Sequence, residues 1–241
     1  SSREQIKQQH EENIRNSKYQ NKLDDLKKLT EIIIELLRCF RADDVFRNVQ
    51  LMVNAKEYEQ AIVEIDKVSS NIYLYRDKIY FLSDLKEIAN NSSYPYHQFE
   101  YYDEFCECKN NINILMAKVE NFNMEILNAY RDYIYKLLRN HNCLKINKEI
   151  EEQMDNLNKK FSEYDAGFID ACIENYKNNI DNNNKNIIDN GLLKKESEKL
   201  DKMLINYSEE IPNLIANLTQ ELKKYLELKK IIAFNELMIH N

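Results

Sequence analysis

The residue types best suited to chemistry in this chain are its cysteines and histidines, because a thiolate or an imidazole can bind zinc or act in nucleophilic catalysis. Cys106 and Cys108 are separated by one residue, and so are His141 and Cys143. Common structural zinc sites place at least two residues between paired ligands. Neither pair has that spacing, so the sequence predicts no metal site and no cofactor.

A cysteine nucleophile needs a base within hydrogen-bond reach and a third group that orients the base. His141 is close to Cys143 in sequence, but no orienting acid is identified for this pair. A glycine-rich phosphate loop is excluded because the chain holds only 2 Gly, which stand apart. Runs of carboxylates, as in residues 149–152, are typical of solvated helix faces. The sequence therefore predicts a protein that is not an enzyme.

Composition narrows the class of protein further. The net charge of -7 comes from 34 basic and 41 acidic residues with both signs mixed along the chain, which argues against a nucleic-acid partner. No apolar run approaches the ~20 residues that span a bilayer, so no transmembrane segment is predicted. The 5 Cys follow no disulfide framework, which favours reduced thiols in a cytosolic protein.

The elements that must position these residues are indicated by apolar spacing. Apolar residues recur at alternating intervals of three and four along five segments, as in long helices packed side by side. These segments start at Tyr19, Tyr58, Ile112, Ile150 and Leu204. Only 2 Gly and 2 Pro interrupt the 241 residues, and no useful stretch alternates with period two. The sequence predicts an all-α fold, an elongated antiparallel bundle of long helices with coiled-coil character.

Turn-forming residues divide this pattern. We expect an N-terminal coiled-coil helix over residues 1–40 and an elongated helical bundle over residues 41–241. Loops are predicted near residues 90–97, 140–147 and 181–191. Pro95 biases the residue before it away from helical angles, and Gly191 can supply a positive φ. The Asn-rich stretch before Gly191 is expected to be mobile, and a short turn is expected at residues 54–56.

The apolar stripe that starts at Tyr19, which we call the first seam, is the leading candidate for contact with a partner helix. Residues 1–17 before it are almost wholly polar, and its apolar stripe is narrow, as in a helix that pairs with another chain. The residues predicted to bind a partner on this helix are Leu23, Leu26, Ile33 and Leu37. An intramolecular seam is the alternative at these positions.

Tyrosine, with 16 residues, is unusually frequent in this chain. Tyr94 and Tyr96, in the predicted loop at 90–97, form a second candidate for partner binding. A tyrosine combines a large apolar area with a polar tip, which suits interfaces, and loops often carry function. The alternative for tyrosines within the stripes, such as Tyr75 and Tyr133, is that they fill wide layers of the bundle.

Residues 49–65 and 79–85 resemble the N-terminal part of vesicle-tethering subunits. These belong to the family of complexes associated with tethering containing helical rods, found in the exocyst and in Golgi tethers. In that family a coiled-coil helix is followed by a helix pair, and a short break resembling residues 54–57 precedes an aromatic, an alanine and an aliphatic residue. Here those residues are Tyr58, Ala61 and Ile62. The resemblance covers about 70 residues and rests on apolar spacing, so no binding residue carries over from it.

The resemblance implies a rod that assembles with other helical subunits through its N-terminal coiled coil and holds a vesicle at its far end. It also implies SNAREs or small GTPases as partners, and a cytoplasmic location at the periphery of Golgi or vesicle membranes. Two alternatives stay open. One is an extracellular helical-bundle adhesin of a parasite with an AT-rich genome, which resembles this chain in its Asn and Lys bias and predicts oxidised cysteines. The other is a cytoskeletal or kinetochore coiled-coil scaffold.

Overall fold

The structure, a computed structural model, describes residues 2–82, 85, 101–160 and 166–239. Within that part of the chain all regular structure is α-helical, and no strand occurs. The helices are α1 (Ser2–Phe40), α2 (Asp43–Asn54), α3 (Tyr58–Leu82), α4 (Tyr102–Lys160), α5 (Ala166–Asn184) and α6 (Asn190–Ile239). The predicted all-α fold is confirmed.

The helices form two compact units, whose boundaries fall inside α3, α4 and α6 as well as near the start of α2. Unit 1 comprises Ser1–Asp44, Lys67–Glu125 and Asn206–Asn241, and unit 2 comprises Val45–Asp66 and Ile126–Ile205. The structure thus differs from the predicted division after residue 40, because α1 belongs to the same unit as two distant segments. The physical reason is that the C-terminal half of α1 buries apolar side chains within unit 1.

In unit 1 the helices pair antiparallel. Along α3 and α4, Arg76 pairs with Glu120 and Tyr80 with Asn113, so the partner number falls as the residue number rises. Along α4 and α6, the rings of Phe105 and Tyr225 stack at 5.7 Å between centroids. Further along the same pair, Phe122 stacks on Tyr207 at 5.7 Å. Aromatic side chains fill successive layers of this unit, as expected from their large apolar area.

Unit 2 also contains antiparallel helices. It is built from α2, the start of α3, the C-terminal part of α4, α5 and the start of α6. Asp66 pairs with Arg131, and the Tyr58 ring meets the His141 ring edge-on at 5.7 Å, which makes α3 antiparallel to α4. Lys136 forms an ion pair with Glu196, and α2 adds a stacked contact between Phe46 and Tyr130.

The turn expected at residues 54–56 is present and ends α2. The Glu57 N–H donates to Met52 O at 2.8 Å, and the Lys56 N–H donates to Val53 O at 3.0 Å. These two bonds form a Schellman motif, which requires a left-handed residue after the helix. Lys56 occupies that place with φ at 61°, where glycine is the usual residue because it has no Cβ.

Replacing Lys56 by glycine should therefore raise the free energy of unfolding by about 0.5–1 kcal/mol, since the left-handed conformation carries no steric penalty for glycine. The side chain is exposed, so its loss removes no packing. Chemical denaturation of the whole chain measures the effect. Lys56→Ala is the matched control and should give no such gain, because alanine keeps the Cβ.

The structure differs from the sequence-based loops in two places. Residues 140–147, predicted as a connector, continue α4 without a break, because their asparagines bond to other segments and no Gly or Pro interrupts them. The break predicted at 181–191 is shorter, since α5 continues to Asn184 and α6 begins at Asn190. The loop predicted near 90–97 lies outside the described residues.

Candidate functional site

The predicted partner residues of α1 divide between core and surface. Ile33 is buried, whereas Leu23, Leu26 and Leu37 are half-buried. The buried residues of this helix are Leu29, Ile33, Leu36 and Phe40. Their spacing of four, three and four residues defines a stripe beside the predicted one, which runs from Tyr19 through Leu37 to Phe40, and the two stripes share Ile33 and Phe40. The C-terminal half of α1 is therefore an intramolecular seam, because it packs its apolar face within unit 1.

The N-terminal part of α1 is different. Residues 2–28 are helical but contain no buried residue, and Ile6 and Ile14 expose 65% and 42% of their surface. Tyr19 and Leu23 are half-buried. Helices in proteins derive most of their stability from a packed face, and this segment contributes no fully buried side chain to one. Tyr94 and Tyr96, the other predicted partner residues, lie outside the described residues.

A buried hydrogen-bond network joins the end of α1 to α4 and α6 in unit 1. The Tyr207 hydroxyl donates to Phe40 O at 2.6 Å and accepts from the Ala42 N–H at 3.0 Å. The Oδ1 atom of Asn123 lies 3.1 Å from the same hydroxyl. Burial raises the pKa of the Tyr207 phenol, so the group stays neutral in the folded protein. This hydroxyl satisfies backbone groups that the end of α1 leaves without helical partners.

A polar cluster between α3 and α4 lines a cleft of about 450 Å³ in unit 1. Arg76 donates to Glu120 at 2.5 Å and to Asp77 at 3.0 Å, and its guanidinium lies over the Tyr73 ring. Partial burial opposes the charged form of Arg76, but its hydrogen bonds to Asp77 and Glu120 and the negative charges of these carboxylates outweigh burial and raise its pKa. Arg76 thus pairs with two carboxylates, and among the described residues that line the cleft there is no cysteine, serine, threonine, lysine or histidine. The cluster therefore acts as a clamp between helices.

Asparagines of α4 bind the end of α5 and the segment that joins α5 to α6 in unit 2. Asn140 donates through Nδ2 to Ile188 O at 3.1 Å and accepts from the Ile188 N–H at 2.9 Å. Two turns further along α4, Asn147 donates to Asn184 at 2.7 Å and accepts from Asn183 at 2.8 Å. Both α4 asparagines are 8% exposed. The Asn-rich stretch that the sequence suggests as mobile is thus hydrogen-bonded to α4 at its end.

Replacing Asn140 by leucine should lower the free energy of unfolding by about 1–2 kcal/mol, because it removes two hydrogen bonds to Ile188. The amide proton of Ile188 should also exchange faster with solvent, and hydrogen exchange with NMR detection measures this. Asn142→Leu is the matched control, since Asn142 is exposed two positions away. An unchanged exchange rate of the Ile188 amide proton in the Asn140 variant would contradict the hydrogen bonding of Asn140 to Ile188.

The cysteines are arranged for packing. Cys108 is buried, donates its thiol to Glu221 O at 3.2 Å, and has its pKa raised to about 12 by burial. Cys143 is also buried, while its sequence neighbour His141 contacts Tyr58. Across residues 2–82, 101–160 and 166–239, no three potential ligands come together as a metal site would require.

The chain matches no protein-family model, no curated protein and no solved structure. Over the described part of the chain, no helix is both long and apolar enough to cross a membrane. Among the described residues, the exposed part of α1 is the candidate surface. The sequence predicted this helix, but it did not predict which of its residues are buried. The hydrogen-bond networks around Tyr207 and Asn140 had no signal in the sequence, because their partners are distant in the chain.

Proposed function

We propose that this protein is a non-enzymatic helical scaffold that binds other helical proteins through α1. The observation that carries the proposal is that residues 2–28 form more than half of a 39-residue helix without burying one side chain. The same helix is anchored at its other end by Leu29, Leu36 and Phe40, which are buried in unit 1. An anchored helix whose N-terminal residues are largely exposed can present them to a partner without the entropy cost of ordering the helix.

A narrower form of the proposal is that the scaffold is a subunit of a vesicle-tethering complex at Golgi or vesicle membranes in the cytoplasm. The resemblance of residues 49–65 and 79–85 to tethering subunits supports it. In this form the partners of α1 are sister helical subunits, with SNAREs or small GTPases as further partners.

Affinity capture from native cells tests both the scaffold proposal and its narrower tethering form. The intact chain should recover large helical proteins, and the double variant Ile14→Glu with Leu23→Glu should lose them, since charges on a helix–helix contact are strongly unfavourable. The matched control is Ile205→Glu in α6, where the side chain is 60% exposed. Circular dichroism should show that both variants fold. Equal recovery by all three proteins would contradict the use of α1, and recovery of helical partners unrelated to membrane traffic would contradict the tethering role alone.

The structure favours the scaffold over the adhesin on one point, which is the cysteines. All five are unpaired, and two of them, Cys108 and Cys143, are buried. A secreted adhesin is expected to carry disulfides. Thiol titration of the protein, purified without reductant and then unfolded, should find five free thiols. Oxidised cysteines would favour the adhesin.

A further inference from the structure

A second cleft in unit 1 lies between α4 and α6 and has a volume of about 320 Å³. The described residues that line it are two aliphatic side chains, three carboxamides and one carboxylate, namely Ile114, Leu115, Asn111, Asn217, Gln220 and Glu221. Its volume falls within the range of small-ligand sites in proteins. The lining therefore combines an apolar wall with several oxygen acceptors and one negative charge.

The carboxylate of this cleft has an oxygen without a partner. Among the described residues, Glu221 Oε2 is the one buried side-chain oxygen or nitrogen that has no hydrogen bond. Lys224, which lies about one turn further along α6, forms its ion pair with Glu104 at 3.4 Å. A buried carboxylate oxygen without a donor is costly, and in native proteins such an atom can mark the place of a bound ion.

The cleft between α3 and α4 shows how this chain satisfies a comparable carboxylate. There Glu120 accepts a hydrogen bond at 2.5 Å from Arg76, which is itself part of the lining. No lysine, arginine or histidine occurs among the described residues that line the α4–α6 cleft. Both clefts thus hold a carboxylate between packed helices, but within the described linings only the first supplies its own cation.

Glu221 can turn its carboxylate toward the cleft that it lines. The last torsion of a glutamate side chain is broad and close to two-fold, so its two oxygens exchange places without a change of the backbone. The Cys108 thiol of α4 donates to Glu221 O at 3.2 Å, so the backbone at this position is joined to α4. A cation in the cleft would therefore meet a carboxylate on a well-packed helix, with amide oxygens beside it.

The chemistry of the lining selects the kind of cation. Calcium sites in proteins gain affinity from the number of charged ligands, and this lining offers one carboxylate. An ammonium group carries one charge and three donors, which match one carboxylate and neighbouring amide oxygens. An aliphatic chain attached to the ammonium gains from contact with Leu115 and with Ile114, which is 47% exposed.

We propose that the α4–α6 cleft binds an alkylammonium group, with the ammonium on Glu221 and the aliphatic chain on Ile114 and Leu115. The ammonium donates hydrogen bonds to the carboxylate and to amide oxygens, and it neutralises a charge that the described lining does not offset. The group belongs to a free aliphatic amine or to a lysine side chain of a partner protein. No residue of α1 lines the described cleft, so this site is independent of the proposed scaffold function.

Titration of the full chain with n-butylammonium tests the proposal, with NMR detection of side-chain amide groups. The NH₂ signals of Asn111, Asn217 and Gln220 should shift and saturate. At equal salt, n-butanol, which has the same chain without the charge, should leave these signals unchanged. Tetramethylammonium, which has the charge without a donor, should also leave them unchanged. Absence of saturable shifts, or equal shifts with either control compound, would overturn the proposal.

Matched variants on α6 locate the ammonium. E221Q should weaken the binding of n-butylammonium by about tenfold or more, because the amide has the shape of the carboxylate without its charge. E227Q makes the same change in net charge on the same helix, where the Glu227 side chain is 73% exposed, and it should leave the affinity unchanged. An equal loss in both variants would show that net charge, rather than the cleft, attracts the amine.

A variant of the apolar wall tests the position of the aliphatic chain. Ile114→Ser changes a side chain that is 47% exposed, so the protein should stay folded. The variant should weaken n-butylammonium but not methylammonium, since only the longer amine reaches the wall. Equal affinities of the variant and the unchanged protein for n-butylammonium would contradict the proposed orientation.

A peptide comparison identifies the source of the ammonium. A short peptide with blocked ends and one central lysine is compared with the same peptide acetylated on the lysine Nζ. Tighter binding of the lysine peptide than of n-butylammonium, lost on acetylation, would assign the site to a partner's lysine side chain. Binding of n-butylammonium without binding of the peptide would assign it to a free amine. The double variant of Ile14 and Leu23 should bind n-butylammonium normally, so failure of the α1 proposal is distinguishable from failure here.

Discussion

Replacement of Leu36 by alanine should lower the free energy of unfolding by about 2–5 kcal/mol, because it removes a buried side chain and leaves a cavity in unit 1. Leu36 is completely buried, with 0% of its surface exposed, and lies between Ile33 and Phe40 on the inner face of α1. Urea denaturation of the whole chain, followed by circular dichroism, measures the loss.

Leu37→Ala is the control for this prediction. Leu37 belongs to the stripe that the sequence favours, but it is half-buried, so its truncation should cost about 1 kcal/mol. The comparison therefore identifies which face of α1 is packed. A larger cost at Leu37 than at Leu36 would contradict the packing of α1 described here.

Replacement of Tyr207 by phenylalanine should lower the free energy of unfolding by about 2–3 kcal/mol. The change keeps the ring that stacks on Phe122 but removes the hydroxyl, so the buried carbonyl of Phe40 and the N–H of Ala42 lose their partner. The effect should appear in the denaturation midpoint and in faster hydrogen exchange at Ala42.

The matched control is Tyr135→Phe in unit 2. Tyr135 is 49% exposed, so water can replace any contact of its hydroxyl, and the change should alter stability by less than about 0.5 kcal/mol. Equal effects of the two substitutions would show that the Tyr207 hydroxyl does not hold the end of α1.

The helical fold could be predicted because its signal is local. The three-and-four spacing that starts at Tyr58 and Ile112, together with the scarcity of Gly and Pro, is a property of neighbouring residues. The turn at residues 54–56 was predicted for the same reason, although Lys56 in its left-handed place was not. Spacing alone could not separate Leu36 from Leu37, because an apolar face that meets more than one helix includes both stripes.

Asparagine misled the prediction at two places. In isolation, Asn140 and Asn147 resemble turn residues, since a short amide side chain competes with the helix for backbone hydrogen bonds. In the structure the Asn140 amide bonds to Ile188, between α5 and α6, and the Asn147 amide bonds to Asn184 at the end of α5. A helix tolerates such residues when their polar groups have partners elsewhere, and the sequence does not name those partners.

The sequence by itself determined that this chain is all-α, that its helices are long, and that its first helix begins with a polar segment, because each of these depends on residues within a few turns of one another. Only the tertiary structure decided which face of α1 is buried, how Tyr207 closes the end of that helix, and which distant residues Asn140 and Asn147 bond to. These features depend on residues up to 167 positions apart, and proximity of that kind is created by packing.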